Sequence, residues 1–165
     1  MPELADFLRM RYWYLAAAIW TALDQLTKWL AEASLSYGRP VEILPVLDFT
    51  LLYNPGAAFS FLSNAGGWQR WFFIVLSSVV SLALVILLPK QKHLLGRAAF
   101  CLVLAGALGN LIDRVRFGYV VDFIHFHWQG NYFPAFNLAD SAISVGVCLL
   151  IIEWYLVERK QDKNA

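Results

Sequence analysis

Apolar residues are grouped in four stretches along this chain, each about as long as a helix that crosses a lipid bilayer. The stretches cover residues 12–31, 68–88, 98–117 and 138–157. A bilayer core about 30 Å thick requires about 20 apolar residues in helical conformation. The second stretch is the most uniform, since 18 uncharged residues follow Arg70 and end before Pro89. The pattern predicts four transmembrane helices, with both ends of the chain on one side of the membrane.

The composition is also that of a membrane protein. Of the 165 residues, 59% are hydrophobic and 15% are charged, whereas about 25% are charged in an ordinary soluble domain. A soluble fold of this size has too little interior for so much apolar surface. A formal net charge of +1 argues against a nucleic-acid-binding surface. We therefore expect one all-α membrane domain over residues 1–165, in contact with lipids and not with nucleic acid.

The distribution of Lys and Arg predicts the orientation of the chain. Eight of the 13 basic residues lie near the two ends or in the loop 89–97, and short basic loops stay on the cytoplasmic side. Both ends are then cytoplasmic, and segments 32–67 and 118–137 lie outside. The start of the chain is also similar to a cleavable signal peptide, but Asp24 and Lys28 within its apolar stretch favour a retained helix.

The first outer segment has a pattern typical of β-strands. Residues 41–43 and 49–53 are rich in β-branched and aromatic types, which favour strands. Asn54-Pro55-Gly56 predicts a tight turn, and residues 57–62 predict a short helical piece ahead of the Gly66-Gly67 break. We expect a small β-rich cradle on the outer face between the first and second helices, with Gly56, Gly66 and Gly67 as candidate hinges.

Apart from Arg70, Arg116 and Glu153, five ionisable residues lie inside the predicted helices, all in the outer half of the membrane. They are Asp24, Lys28, Asp113, Arg114 and Asp140. A residue of this kind costs several kcal/mol in the membrane, so it marks a functional site or a compensated ion pair. Asp122 and Asn137 lie in the adjoining outer segment. This clustering at one leaflet predicts a site there.

Each of these residues also has a structural interpretation. Asp24 and Lys28 are spaced i,i+4 and form an intrahelical ion pair, or Lys28 additionally anchors the outer loop or a substrate. Arg114 lies one turn after Asn110 and either lines a site with it or extends towards water beside a carboxylate. Asp140 lies three residues after Asn137, as in a capping box.

Asp122 and Asp140 are the candidates for paired-carboxylate chemistry. Two carboxylates that share a site do not both ionise easily, so one keeps a proton while the other activates water. A helix start favours the ionised form of Asp140, which leaves Asp122 as the acid. The alternative for Asp122 is an ion pair with Arg114 or Arg116.

Other catalytic chemistries fit the sequence less well. His125 and His127 lie on one face of a strand, but no third ligand follows at a recognisable spacing, so we expect no metal site and no cofactor. Ser141 has no histidine placed to activate it, although a pairing with Lys28 stays open.

A function of another class is a small ion-coupled transporter or channel subunit. In such a protein Asp24, Asp113 and Asp140 would relay ions across the membrane. This alternative predicts carboxylates at different depths along a path, whereas the sequence groups them on one side.

Five sequence blocks together are similar to one known family. They are residues 24–28 (DQLTK), 53–60 (YNPGAAFS), 106–114 (GALGNLIDR), 120–123 (VVDF) and 136–141 (FNLADS). Any one block is a weak signal, but the five in this order are specific. The chain resembles the bacterial lipoprotein signal peptidases, also called signal peptidase II.

The resemblance implies an aspartic endopeptidase of the bacterial inner membrane. It would cleave the signal peptide from diacylglyceryl-modified prolipoproteins just before the lipidated cysteine, as a monomer with its active site at the outer face. The resemblance points to Asp122 and Asp140 as the catalytic pair. It implies substrate-binding or supporting roles for Asn54, Gly56, Asn110, Arg114, Asn137, Asp24 and Lys28. Pro55 and Ala105 depart from the family pattern, which usually has Thr or Ser and Gly there.

Overall fold

The computed structural model describes residues 2–56 and 67–162, which form four long helices and a small sheet. The helices are α1 (Pro2–Ser34), α2 (Trp68–Leu87), α3 (Leu94–Arg116) and α4 (Leu138–Asp162), with a 3-10 turn over Leu88–Lys90. The strands are β1 (Val41–Leu44), β2 (Leu47–Asn54), β3 (Val120–Trp128) and β4 (Asn131–Tyr132). The protein is therefore mostly helical, with its strands between α1 and α2 and between α3 and α4.

Three of the helices are long and apolar enough to cross a membrane. These spans are Trp68–Lys90, Leu94–Arg116 and Leu138–Arg159. Among the described residues, α1 does not meet the same hydropathy criterion. Its polar residues, Asp24 and Lys28 among them, lower its mean hydropathy. The span predicted over residues 12–31, which would bring the number of spans to four, is therefore not confirmed by length and composition.

Helix α3 is the central helix of the bundle and packs against α1, α2 and α4. Half of its most apolar window is buried, against 17% for α2 and 11% for α4. Small residues make this possible, because Gly106 lies against the Ala139 carbonyl and Gly109 against the Asp24 carboxylate. Ala105, one of the two departures from the family pattern, is fully buried in the apolar core. Its carbonyl accepts a hydrogen bond from the Thr21 hydroxyl at 3.1 Å.

The sheet is antiparallel, in the order β1-β2-β3-β4. The predicted strands at 41–43 and 49–53 are confirmed. The expectation of a cradle between the first two helices alone is incomplete, because β3 and β4 come from the second outer segment. The β-branched and aromatic run of β3 pairs with β2, so both segments build one sheet. The predicted helical piece at 57–62 and Gly66 lie outside the described residues.

Candidate active site

Asp122 lies near the start of β3, opposite Leu52 of β2. Its side chain is buried, with 2% of the residue exposed. Each carboxylate oxygen accepts a hydrogen bond from an amide, from Asn137 Nδ2 at 2.7 Å and from Asn54 Nδ2 at 3.2 Å. No ion pair joins Asp122 to Arg114 or Arg116 in the described part of the chain, so that alternative for Asp122 is wrong.

Asp140 lies in the first turn of α4 and forms the predicted capping box with Asn137. Its N–H donates to Asn137 Oδ1 at 2.9 Å, and the Asn137 N–H donates to Asp140 Oδ2 at 3.3 Å. The other carboxylate oxygen accepts from Asn110 Nδ2 at 2.7 Å. Capping therefore occupies only one oxygen of Asp140, and the second belongs to a polar network shared with α3.

One amide group connects the two aspartates. Asn137 is fully buried, with its oxygen on the N–H of Asp140 and its nitrogen on the carboxylate of Asp122. Its Oδ1 and Nδ2 atoms are fixed by these contacts, so the relative position of the carboxylates is fixed as well. The structure thus brings together Asp122 and Asn137 of segment 118–137 and Asp140 of the fourth predicted helix, three polar residues that the sequence singled out.

The protonation of Asp122 is set mainly by burial. Burial and the nearby charge of Asp140 raise the pKa of Asp122 to about 7, against the opposing hydrogen bonds from Asn54 and Asn137 and the charge of Lys28. A carboxyl with this pKa still carries a proton in a large fraction of molecules at neutral pH. Asp122 can therefore act as the acid of the pair, as the sequence predicts.

Lys28 is the centre of a buried ionic cluster between α1 and α3. Its ammonium lies 2.8 Å from Asp24 Oδ2 and 2.8 Å from Asp113 Oδ2, and it donates to Asn110 Oδ1 at 3.0 Å. The predicted intrahelical pair is confirmed. Lys28 also engages Asn110, which in turn holds Asp140, so the cluster continues into the site.

The two acidic partners of Lys28 each hold the backbone next to a candidate catalytic residue. Asp24 Oδ1 accepts the N–H of Ala139 at 2.8 Å, one residue before Asp140. Asp113 Oδ2 accepts the N–H of Val121 at 3.1 Å, one residue before Asp122. This buried cluster therefore fixes both candidate catalytic residues through their backbones.

Arg114 faces the first outer segment rather than a carboxylate. It is 8% exposed, and its guanidinium donates to the carbonyls of Gly56 at 3.1 Å and Asn110 at 3.3 Å. It also lies 4.9 Å from the centre of the Phe73 ring. The interpretation of Arg114 as a side chain extending to water is therefore wrong.

The turn after β2 brings Asn54 to the site. The Gly56 N–H donates to Asn54 Oδ1 at 3.0 Å, which closes a side-chain turn around Pro55. The same amide donates through Nδ2 to Asp122. Proline in place of the family's Thr or Ser is therefore compatible with the tight turn.

Two cavities meet at the paired carboxylates. The helix cavity, about 580 Å³, is lined by Asn110, Arg114 and Asp140 and continues along α4 past Ile143 and Val145. The sheet cavity, about 460 Å³, contains Asp122 together with side chains of β2, β3 and β4. Asn54 and residues 133–135 line both. A substrate lying across Asn54 would therefore contact both carboxylates.

Some contributions to this site were missed by sequence reasoning. The ion pair between Asp113 and Lys28 joins two helices, and no spacing rule reveals a partner 85 positions away. Gln25 also belongs to the cluster and donates to Asp113 Oδ1 at 2.8 Å. Its position inside the DQLTK block is the signal that could have found it. Residues 133–135, which line both cavities, carry no polar pattern that marks them in advance.

Metal-ligating side chains do not converge in the part of the chain that the structure describes. Across residues 2–56 and 67–162, no group of three His, Cys, Asp or Glu residues is placed to hold a metal ion. His127 instead lies 3.3 Å from Asp48, and His125 contacts Thr50 at 3.2 Å. Ser141 donates to the Asn137 carbonyl at 3.0 Å, and Lys28 is held in the ionic cluster, so their pairing is wrong.

Two buried carboxylates, held where a bundle of membrane-type helices meets a small sheet, are the arrangement expected of a membrane aspartic peptidase. A family model described as signal peptidase (SPase) II matches residues 16–156. The chain therefore belongs to the signal peptidase II family, and the transporter alternative is wrong.

Relatives with curated names agree along almost the whole chain. The chain is 52% identical over 156 residues to the lipoprotein signal peptidase of Acinetobacter baumannii (strain ATCC 17978), covering 93% of this chain and 88% of the relative. It is 47% identical over 158 residues to the lipoprotein signal peptidase of Neisseria meningitidis serogroup C (strain 053442), covering 94% and 95%.

A solved structure has the same fold. It is described as a bacterial membrane enzyme determined by the in meso method at 2.3 Å resolution. The TM-score is 0.80 with 37% sequence identity, covering 92% of this chain and 91% of that one. The agreement of fold therefore extends over both the helices and the sheet.

Proposed function

We propose that Asp122 and Asp140 are the catalytic pair with which this membrane aspartic peptidase cleaves signal peptides from prolipoproteins. The family supplies the activity, and the observation that supports the assignment is the shared Asn137 amide. It contacts both aspartates, which line adjoining cavities. Two other buried acids, Asp24 and Asp113, are instead both ion-paired with Lys28.

In the proposed reaction, ionised Asp140 takes a proton from a water molecule while the oxygen of that water attacks the scissile carbonyl carbon. Protonated Asp122 gives its proton to the carbonyl oxygen, which yields a neutral gem-diol intermediate. Asp140 then gives its proton to the leaving nitrogen while Asp122 takes one from a gem-diol hydroxyl, and the C–N bond breaks. Both aspartates return to their starting states without a covalent intermediate.

The remaining site residues have positioning roles in this proposal. Asn54 orients Asp122 and lies where the two cavities meet. Asn110 orients Asp140, and Arg114 holds the carbonyl of Gly56 in the turn that carries Asn54. Asn137 fixes the pair, and Asp24 and Lys28 support it from α1.

We further propose that α1 is a fourth membrane-spanning helix. The two charged side chains within residues 12–31, Asp24 and Lys28, are buried against α3 in the ionic cluster, so they do not face lipid. Its outward side chains are large and apolar. Examples with about half or more of their surface exposed are Tyr12, Leu15, Ile19, Leu26 and Trp29. A helix with this distribution is compatible with lipid on one side and the bundle on the other.

The protein is a bacterial inner-membrane enzyme, and we propose that both of its ends are cytoplasmic. Residues 1–165 would then form one membrane domain with the sheet and the active site at the outer face. A single chain holds every residue of the proposed site, which supports a monomer.

The substrate is proposed to be a diacylglyceryl-modified prolipoprotein that enters from the bilayer. The helix cavity follows α4 through apolar residues such as Ile143 and Val145, so the acyl chains and apolar signal peptide can remain close to lipid. The scissile bond before the lipidated cysteine then lies at the carboxylates.

The direct test is cleavage of a diacylglyceryl-modified prolipoprotein by the purified full-length protein in detergent. Wild type is compared with Asp122→Asn and Asp140→Asn, and products are identified by mass. We expect a wild-type product that begins at the lipidated cysteine, and a loss of at least about 10³-fold in turnover for each variant, since each removes a proton-transfer step.

Glu42→Gln is the matched control, because Glu42 is an exposed acid on β1 outside the site. It should retain wild-type turnover. Undiminished cleavage by either folded aspartate variant would contradict the proposed pair.

A further inference from the structure

The sheet cavity has a lining unlike that of the helix cavity. Aromatic rings with polar atoms surround it, contributed by Tyr37, Tyr53, His125 and Tyr132. The helix cavity instead follows the apolar residues of α4. The difference in polarity indicates that the two cavities receive chemically different parts of one ligand.

One wall of the sheet cavity is held by a buried carboxylate. Asp48 is 4% exposed and accepts the Tyr132 hydroxyl at 3.1 Å. The Tyr132 ring lies 4.5 Å from the His125 ring, centre to centre. Burial lowers the pKa of His125, so its imidazole is neutral at neutral pH and can both donate and accept hydrogen bonds. This wall is therefore prearranged.

The facing aromatic residues are also packed against each other. Tyr37 stacks on Tyr53 with ring centres 5.2 Å apart, and Tyr53 lies 4.4 Å from Tyr119. Fixed aromatic surfaces with polar tips suit an extended polar peptide, since they offer contact area at a low entropic cost.

The two cavities share Asn54 and residues 133–135, with Asp140 on one side and Asp122 on the other. A peptide bond held between the carboxylates thus has one flank in each cavity. If the apolar signal peptide occupies the helix cavity and the acyl chains of the cysteine reach the lipid beside it, the backbone beyond the cysteine continues into the sheet cavity.

We propose that the sheet cavity binds the first polar residues of the prolipoprotein that follow the lipidated cysteine, with His125 and Tyr132 as its specificity-determining residues. This inference rests on the proposed cleavage between Asp122 and Asp140. The occupant is the substrate's own mature segment, which is extended and polar.

Two diacylglyceryl-modified peptides test this proposal on the full-length enzyme. One ends at the cysteine amide, and the other continues for about four polar residues, or ~13 Å of extended chain. We expect wild type to cleave the longer peptide with a KM about 3–10-fold lower, the gain typical of one or two aromatic contacts. His125→Ala and Tyr132→Ala should cleave both peptides with the same KM.

Trp128→Ala is the matched control, because Trp128 is an exposed aromatic residue on the same strand outside both cavities. It should keep the wild-type preference for the longer peptide. Equal KM values for the two peptides in wild type, or a preference that survives in both cavity variants, would overturn the proposal while leaving the catalytic pair intact. Failure of wild type to cleave either peptide would overturn the proposed function and this inference together.

A photo-crosslinking measurement does not depend on the folding of the cavity variants. The longer peptide carries a benzophenone side chain on the third residue after the cysteine. It is mixed with the Asp140→Asn enzyme, and the mixture is irradiated. Crosslinks mapped by mass to residues 125–135 are expected. Crosslinks confined to residues 143–145 of α4 would contradict the assignment of the cavities.

Discussion

Asn137 shows how much of the site depends on one uncharged side chain. Its amide cannot be protonated or ionised near neutral pH, yet it contacts Asp122 with one atom and the backbone of Asp140 with the other. A charged residue there would shift the protonation of both aspartates at once. An amide fixes the geometry of the two aspartates without adding a charge that would change their protonation.

The pKa of Asp122 predicts the high-pH limb of the reaction. With a pKa of about 7 in the free enzyme, the proton that Asp122 would donate in the proposed mechanism is lost as pH rises through neutrality, so kcat/KM should fall above about pH 7. In Asn54→Ala the hydrogen bond that stabilises the ionised form is removed, so the limb should move to higher pH. The measurement is kcat/KM against pH for both enzymes.

Asn131→Ala, on the exposed strand β4, is the control for this pH profile and should leave the limb in place. A limb that stays fixed in Asn54→Ala, or moves to lower pH, would show that another group controls it.

At the scale of elements, the close contact between α3 and α4 carries Asp140. A Cβ atom at Gly106 would collide with the carbonyl of Ala139, the residue before Asp140. At Gly146, two turns further along α4, a Cβ atom would meet the Ala99 carbonyl at 2.9 Å. Both glycines therefore allow helix contact, but only Gly106 lies beside the site.

We expect Gly106→Ala to lose about 1–3 kcal/mol of stability, the usual cost of overpacking, and most of its turnover, because α4 shifts at Asp140. Gly146→Ala is the matched comparison, with a similar loss of stability and much smaller loss of turnover. Thermal unfolding in detergent and kcat below the unfolding temperature give the two quantities. Equal losses of turnover in both variants would mean that general packing, and not the position of Asp140, is responsible.

Sequence patterns predicted the elements better than their extents and pairings. The starts of α2 and α4 agree with the predicted spans, because each apolar run begins directly after a residue that favours a helix boundary, Gly67 before α2 and Asn137 before α4. Helices α1 and α3 extend beyond their predicted starts, since bilayer thickness does not limit a helix that continues into water. The pairing of β3 with β2 joins residues about 70 positions apart, which a single sequence does not reveal.

The same limit applies to the site. Polar residues in apolar surroundings identified Asp24, Lys28, Asp122 and Asp140, since the energetic penalty of burying such groups is visible in the sequence. Their partners depend on how helices face one another. The alternative that pairs Arg114 with a carboxylate is therefore wrong, whereas the alternative that places it on one helix face with Asn110 agrees with the cavity that both residues line.

At the scale of the whole molecule, the proposed topology assigns each loop to a side of the membrane. Cysteine labelling tests it after Cys101 and Cys148 are replaced by Ala. Gln129→Cys, in the turn after β3, should react with a membrane-impermeant maleimide in intact spheroplasts. Lys92→Cys should react only after the spheroplasts are lysed. Labelling of Lys92→Cys in intact spheroplasts would reverse the proposed orientation.

The hydrogen bond from Ala139 to Asp24 joins positions 115 residues apart, and it has a consequence for biogenesis. The first helix emerges early in synthesis, but the amide that it must hold belongs to the last one. Until α4 packs beside α1, Asp24 lacks the Ala139 N–H as a hydrogen-bonding partner and Asp140 has no fixed position. In the proposed mechanism, proteolytic activity therefore requires that α4 is in place, and an enzyme whose α4 has not yet inserted is inactive.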